Sequence, residues 1–294
     1  MSHNTATLPS KRKLRRRSGS SENFAWFSFI VLILLGALML FPFVWMLLTS
    51  LKTSDQINVL PPTFLPNPFT LEKYEYIFTN MNFGRYLFNS SWLAIVQIIG
   101  TVLTSSMVAF AMAKLPFKGS KLLLTLMLAT MMMPAQVTMI PTYFIWVQLD
   151  LVPSYWPIII PAFLGGGAMS IYLFLQNYRS MPSALFESAL IDGAHPLKIY
   201  GRIYLPLSGP VVAAVTVFAF MGSWNNTLGP LLYLAREEQR TLVLALLVLQ
   251  GHPEFKDFGL QMAGSALTIM PTVIVYIFAQ RYFVEGIASA GVKG

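Results

Sequence analysis

Six long stretches of the chain carry no Asp, Glu, Lys or Arg in their central part, and these stretches limit the folds that the chain can adopt. A helix needs about 20 mostly apolar residues to cross a bilayer, and each stretch reaches that length. The sequence therefore predicts an all-α polytopic membrane protein with six transmembrane helices. The predicted spans are residues 24–49, 86–112, 121–146, 155–178, 207–233 and 260–283.

The composition agrees with this prediction. Of the 294 residues, 55% are hydrophobic and 11% are charged, whereas soluble domains carry about 25% charged residues. The chain has no cysteine, so neither a disulfide framework nor a thiolate metal site can form. The three histidines, His3, His195 and His252, are far apart and predict no metal site. No Gly-x-Ser-x-Gly motif occurs, and an enzyme is not indicated.

The distribution of lysine and arginine predicts the orientation of the spans. An even number of spans places both termini on one side, and that side carries 14 of the 20 basic residues. We therefore expect both termini and the 179–206 loop to be cytoplasmic. The basic run Lys11–Arg17 fits a topogenic patch near anionic lipid better than a nucleic-acid site.

These assignments divide the chain into three parts. We expect a basic cytoplasmic tail at 1–23, a six-span transmembrane domain at 24–284 and a cytoplasmic C-terminal tail at 285–294. Prolines within the spans remove backbone hydrogen bonds, which a membrane tolerates only where neighbours or a cavity satisfy the freed groups. Kinked helices around a pathway and kinks that serve packing alone fit this pattern equally well. The prolines are Pro42, Pro134, Pro141, Pro161, Pro230 and Pro271.

A polar, helix-forming segment interrupts the apolar pattern between the fourth and fifth spans. Ser183 is suited to cap a first helix, and Gly193 is suited to end it in a left-handed conformation. Phe186, Leu190 and Gly193 are spaced to form one narrow contact face. Pro196 suits the first turn of a second helix. We expect two short helices joined at the glycine, a pattern that an ordinary interfacial hairpin would share.

This segment carries a motif. Glu-Ser-Ala-x-x-Asp-Gly-Ala is followed by Ile-x-Leu-Pro, with nine residues between Gly193 and Ile203. The motif resembles the conserved loop of ABC importer permeases, with Ser188 in place of a second alanine. Further matches to the maltose-type (carbohydrate) permeases, and most of all to the shorter, six-span member of the usual pair, occur along nearly the whole chain. They are Ser50–Thr53, the proline-rich stretch at 60–68, Gly222–Asn226, Arg281–Gly286 and Gly291–Gly294.

The resemblance implies a mechanism and a set of partners. The loop would be a coupling helix seated on a separate nucleotide-binding subunit, with Glu187 engaging the ATPase and Gly193 forming the elbow, and the C-terminal tail would lie along the same interface. This chain has no Gly-x-x-x-x-Gly-Lys-Ser/Thr loop, so ATP would be used by the partner and no cofactor by this chain. The coupling residues would be Glu187, Ser188, Ala189, Asp192, Gly193, Ala194, Ile203, Leu205 and Pro206.

The implied assembly lies in the inner membrane of a bacterium or archaeon. It contains a second permease subunit, giving a heterodimer, two copies of the ATPase and an extracytoplasmic sugar-binding protein. The lipid bilayer is the remaining partner, and no nucleic acid is expected.

The absence of charge from the spans favours a neutral substrate, since ion-coupled transporters place ionisable groups within the membrane. Sugars suit amide partners and aromatic faces. The candidates for the substrate pathway are Trp224, Asn225, Asn226, Gln97 and Gln136. These groups would serve equally to bond helices to one another.

The sequence thus predicts the membrane subunit of an ATP-driven sugar or oligosaccharide importer. The alternative substrates are other small polar solutes of the polyol, glycerol phosphate or polyamine type. An intramembrane enzyme would need a buried nucleophile or carboxylate pair, and a solitary channel would not need a docking loop.

Overall fold

The computed structural model describes residues 19–250 and 257–291, and every regular element in these two ranges is helical. A π-helical turn, 200–204, and a 3₁₀ turn, 237–239, accompany the α-helices. The α-helices are α1 (Gly19–Ser50), α2 (Ser54–Ile57), α3 (Glu72–Asn80), α4 (Phe83–Lys114), α5 (Ser120–Thr130), α6 (Ala135–Gln148), α7 (Trp156–Phe163), α8 (Ala168–Ser180), α9 (Ala184–Ile191), α10 (Pro196–Ile199), α11 (Leu205–Leu207), α12 (Gly209–Trp224), α13 (Leu228–Tyr233), α14 (Leu242–Gln250) and α15 (Phe258–Gly291).

Both predicted tails are partly helical. Helix α1 begins at Gly19, inside the segment predicted as an N-terminal tail, and α15 continues through the predicted C-terminal tail as far as Gly291. The basic run Lys11–Arg17 and residues 292–294 lie outside the described residues, as do residues 251–256.

Four segments are long and apolar enough to cross a membrane as single spans. They are Phe24–Ser50, Phe83–Lys114, Trp156–Ser180 and Phe258–Gln280, and they correspond to the first, second, fourth and sixth predicted spans. Two bent pairs pass the same test only when each pair is counted as one span. The described part of the chain therefore has four to six spans.

The third predicted span, 121–146, is broken rather than continuous. Helices α5 and α6 meet at an angle of 102°. The break precedes Pro134, whose backbone is extended (φ −60°, ψ 132°). Proline has no N–H group, and it pushes the residue before it out of the helical conformation.

The fifth predicted span, 207–233, is interrupted twice. The segment Pro196–Leu207 meets α12 at 82°, where Pro210 cannot donate a helical hydrogen bond and its ring crowds the carbonyl four residues earlier. A second interruption separates α12 from α13 at Asn225–Thr227. There the Oδ1 atom of Asn226 accepts a hydrogen bond from the backbone N–H of Gly229 at 3.0 Å. Asparagine competes with helical bonding in this way.

The fourth span is interrupted at three glycines, which separate α7 from α8. Gly165, Gly166 and Gly167 have φ angles of 110°, 66° and 94°, a region that glycine enters without steric cost. A Cβ atom on Gly166 would lie 2.7 Å from the Cα atom of Thr101 in α4. The glycines therefore allow both a local break and a close helix approach.

Helix α4 is the central element, packed against α7, α8 and α12. Near its C-terminus it joins an aromatic core that also includes the segment between α8 and α12. Near its N-terminus it packs against α3, α14 and α15. We call the region around the C-terminus of α4 the loop end of the bundle, and the region around the N-terminus of α4 the opposite end. Helix α1 packs against α15, and its apolar window is otherwise exposed.

Two lysines hold the segment between α1 and α4: Lys52 binds it to itself and to α1, and Lys73 binds it to the start of α15. Lys52 donates a hydrogen bond to the carbonyl of Thr63 and lies 4.7 Å from the centre of the Trp45 ring. Lys73 forms an ion pair with Asp257. The other carboxylate oxygen of Asp257 accepts a hydrogen bond from the N–H of Gly259 at 2.7 Å and so caps α15.

We expect Asp257→Asn to lower the unfolding temperature at neutral pH, by an amount equivalent to about 1–3 kcal/mol, because it leaves Lys73 without its ion pair. Burial alone would raise the pKa of Asp257, but hydrogen bonds from Lys73 and Ser54 outweigh it and hold the pKa below 3.8. The stabilisation is therefore complete above pH 3.8 and is lost as the pH falls through the lower, folded-state pKa. The measurement compares the unfolding temperatures of the wild type and Asp257→Asn, both purified in detergent, at pH 7, 5 and 3. A difference that persists unchanged at pH 3 would contradict it.

Candidate functional site

The segment at the loop end folds as two helical arms around a glycine. The first arm, α9, ends in a Schellman motif: the N–H of Gly193 bonds to the carbonyl of Leu190 at 3.0 Å, and that of Ala194 bonds to the carbonyl of Ala189 at 3.0 Å. Gly193 has φ +74°. The predicted left-handed glycine is therefore present.

The start of α9 differs from the prediction. Ser183 has a helical backbone (φ −65°, ψ −27°), and its side chain makes no capping bond. A capping residue needs an extended backbone, so the capping role predicted for Ser183 is wrong.

The second arm begins at Pro196, as predicted. The His195 ring caps it, with Nδ1 accepting a hydrogen bond from the N–H of Leu197 at 3.3 Å. Helix α10 then passes through the π-helical turn at Tyr200–Tyr204 into α11. Such turns occur frequently at functional sites.

The motif residues divide between an inner and an outer side of this loop. The inner side packs on the aromatic core of the loop end, and it contains Ala189, Ala194, Ile203 and Leu205. The outer side is exposed, and it contains Glu187, Ser188, Asp192, Gly193 and Pro206. The carboxylate of Glu187 has no hydrogen bond or ion pair within the described ranges.

The predicted contact face of α9 is split in the same way. Phe186 turns inward, with its ring 6.0 Å from that of Phe110, whereas Leu190 is exposed. Two further apolar side chains project outward from the arms: Ile191 is 86% exposed and Leu197 is 59% exposed. We call Glu187, Leu190, Ile191, Asp192 and Leu197 the outer surface of the loop.

An aromatic cluster joins the loop to the spans. The ring of Phe110 in α4 lies 5.5 Å from that of Tyr200 and 5.2 Å from that of Tyr204. The hydroxyl groups of Ser106 and Tyr200 are hydrogen-bonded at 2.7 Å. Lys114 donates a hydrogen bond to the carbonyl of Met181 at 3.0 Å. The loop is therefore packed directly on α4, as expected of a close-packed interior.

Two of the five predicted pathway residues serve packing in this structure. The Nε2 atom of Gln97 donates to Ser223 at 2.6 Å, which links α4 to α12. Trp224 is 3% exposed and donates its ring N–H to the carbonyl of Thr268 at 3.0 Å. A ring buried to this extent has no free face on which a sugar could stack.

The other three predicted pathway residues, Asn225, Asn226 and Gln136, lie at the helix breaks. Asn225 is exposed and donates to the carbonyl of Met221 in its own helix at 3.1 Å. Gln136 and Asn226 line one groove of about 300 Å³ between α6 and α13. Prediction from sequence did not assign Thr138 or Tyr233, which also line it. The signal that could have found them was the pair of chain breaks, at Pro134 and at Asn225–Thr227.

The fold and the two sites define a class of protein. Broken apolar helices, a groove between two of the breaks that several polar side chains line, and a folded loop with an exposed outer surface are features of a membrane transport component. Among residues 19–250 and 257–291, no group of three or more His, Asp or Glu side chains is arranged to hold a metal ion.

Comparison with known proteins identifies the family. Residues 101–289 match the model of the binding-protein-dependent transport system inner membrane component, and the chain belongs to this family. It is 34% identical to the arabinooligosaccharide transport permease AraQ of Halalkalibacterium halodurans, over 94% of this chain and 99% of that protein. It is 30% identical to the trehalose/maltose transport permease MalG of Thermococcus litoralis, over 90% of this chain and 97% of that protein.

A solved structure shares the fold. It is a bacterial ABC transporter involved in the import of the acidic polysaccharide alginate, and one of its chains superposes with a TM-score of 0.77 at 21% identity. The superposition covers 91% of this chain and 99% of that chain. The protein is thus a multi-pass inner membrane component of a binding-protein-dependent importer.

Proposed function

We propose that this chain is one of two membrane subunits of an ATP-driven importer for an oligosaccharide, and that it receives its energy through the outer surface of the loop. The single observation that carries the substrate class is the agreement among relatives that match most of the chain. AraQ and MalG, named above, carry sugars in their names, and so does the diacetylchitobiose uptake permease NgcG of Streptomyces coelicolor, 29% identical over 92% of this chain.

The loop is the element that we propose to couple the spans to the ATPase. Its inner residues are packed on the core that holds α4, α8 and α12. Its outer surface combines a carboxylate without a partner and two strongly exposed apolar side chains. Interfaces bury such apolar residues at their centre. A partner that pressed on this surface would move three spans together.

We further propose six spans, with α5 and α6 together forming the third and α12 and α13 together forming the fifth, and both termini on the cytoplasmic side. The excess of lysine and arginine on the side of the termini supports this orientation. The loop would then face the cytoplasm, where an ATPase binds nucleotide. The segment 50–82 and the 3₁₀ turn would face the binding protein.

We expect sugar uptake only from the complete assembly. The experiment reconstitutes this chain with its second membrane subunit, the ATPase and the binding protein in proteoliposomes that enclose ATP. The sugars offered are an arabinooligosaccharide, diacetylchitobiose, trehalose and maltose. At least one labelled sugar should accumulate, and accumulation should depend on both ATP and the binding protein.

Each component is omitted in turn as a control. Uptake by this chain alone would show a channel and refute the proposal. A complete assembly that hydrolyses ATP but takes up none of the four sugars would refute the oligosaccharide assignment.

A further inference from the structure

The groove between α6 and α13 lies where two spans are broken. Helix α5 has 11 residues before the first break, which places the break roughly 16 Å along the span, near the middle of a hydrocarbon core about 30 Å thick. Irregular backbone at that depth is tolerated only where it is buried in protein or lines a cavity. Broken helices also form the substrate sites of many transporters.

One side of the groove is formed by a mostly buried tyrosine whose hydroxyl has no partner among the described residues. Tyr233 is 8% exposed, and its hydroxyl makes no hydrogen bond with any residue that the structure describes. Its ring is stacked on that of Tyr143, with centroids 6.0 Å apart and planes at 19°. Stacking on Tyr143 holds this ring and its hydroxyl in place beside the groove.

Further polar groups converge on the same space. The side chains of Gln136 and Thr142 line the groove and make no hydrogen bond within the described part of the chain. Asn226 uses its Oδ1 atom to accept from Gly229, which leaves the Nδ2 atom for another partner. The N–H groups of Ala135 and Gln136, in the first turn of α6, find no backbone acceptor among the described residues.

These groups fit hydroxyl groups better than a charged ligand. They include donors and acceptors together, and the residues that line the groove are uncharged. The volume of about 300 Å³ lies at the lower end of the range for ligand pockets. It corresponds to about ten water molecules, which suits one sugar unit rather than a whole oligosaccharide.

We propose that this groove is a subsite that holds one unit of the transported sugar through its hydroxyl groups, with Tyr233, Thr142, Gln136 and Asn226 as its hydrogen-bonding residues. The proposal rests on the proposed function and adds to it the place and the contacts of the sugar. Gln97 and Trp224 take no part, because neither residue lines the groove.

Three conservative changes test the subsite in the complete assembly: Tyr233→Phe, Thr142→Val and Gln136→Ala. Each should lower uptake of the panel sugar that the wild-type assembly transports best by about fivefold, the effect of one lost hydrogen bond. ATP hydrolysis stimulated by the binding protein should remain. Tyr276→Phe and Thr125→Val are matched controls, since both residues are exposed on other helices.

A second measurement does not depend on uptake rates. The chain has no cysteine, so Gln136→Cys provides a single site for a water-soluble thiol reagent. Labelling in the assembled complex should be slowed by the transported sugar and not by an equal concentration of sorbitol, an acyclic polyol.

The outcomes separate the two proposals. If the wild-type assembly transports none of the sugars, the proposed function fails, and the subsite fails with it. If the wild type transports sugar while the three variants match it, or if sugar leaves the labelling of Gln136→Cys unchanged, the subsite alone is refuted.

Discussion

Reversing the charge of Glu187 is expected to abolish ATP-driven uptake by the assembled importer while leaving the subunit folded. Glu187 lies in the first turn of α9, is exposed, and has no partner in the described part of the chain. In Glu187→Lys, an unpaired cation would be buried at the ATPase interface that we propose. Such a charge costs about 2 kcal/mol or more, which corresponds to a loss of about 30-fold.

The measurement compares uptake with ATP hydrolysis in proteoliposomes. The lysine also opposes the dipole of α9, but this effect is about 0.3–1 kcal/mol and should not unfold the chain. Lys118→Glu is the control, because it changes the charge by the same amount at an exposed position of the loop end. Uptake by Glu187→Lys at the rate of Lys118→Glu would exclude the coupling role of Glu187.

Alanine at Gly166 is expected to destabilise the subunit severely. The added Cβ atom would lie 2.7 Å from the Cα atom and 2.8 Å from the carbonyl oxygen of Thr101. Both are backbone atoms of the central helix and cannot move aside as a side chain does. The φ angle of +66° adds conformational strain. Strain and overpacking together should cost about 3–5 kcal/mol.

Two other glycines separate these contributions. Gly167 has φ +94° but open space around its Cβ position, and Gly36 has open space and no positive φ angle. We expect the unfolding temperature in detergent to fall in Gly167→Ala through backbone strain alone (φ +94°, ψ 145°), not to fall in Gly36→Ala, and to fall most in Gly166→Ala. Equal unfolding temperatures for Gly166→Ala and Gly167→Ala would show that the close approach to Thr101 is unimportant.

In the loop, local sequence rules predicted some features correctly and missed others. The elbow at Gly193 and the start of the second arm at Pro196 were predicted correctly, because both depend on the conformational preference of a single residue. The inner and outer sides of α9 were not predicted. Phe186 faces inward because Phe110, Tyr200 and Tyr204 come together only in the folded chain.

The groove depends on tertiary structure in the same way. Prolines in the spans indicated where helices could break, and Gln136 and Asn226 were predicted candidates for the pathway. Their convergence on one space with Tyr233 required the 102° bend between α5 and α6. The size of that bend depends on packing against neighbouring helices, which a proline by itself does not specify.

The sequence alone determined that this chain lies in a membrane as a set of helices, because the cost of burying charge and unpaired backbone in lipid is summed over about 20 consecutive residues. The sequence also contains the loop motif by which the family resemblance was recognised. Only the tertiary structure decided which polar side chains are satisfied and which are free. Gln97 is bonded to Ser223, Trp224 is bonded to Thr268, and the hydroxyl of Tyr233 has no partner among the described residues. Hydrogen bonding between residues distant in sequence depends on how the helices pack, and no local sequence pattern predicts it.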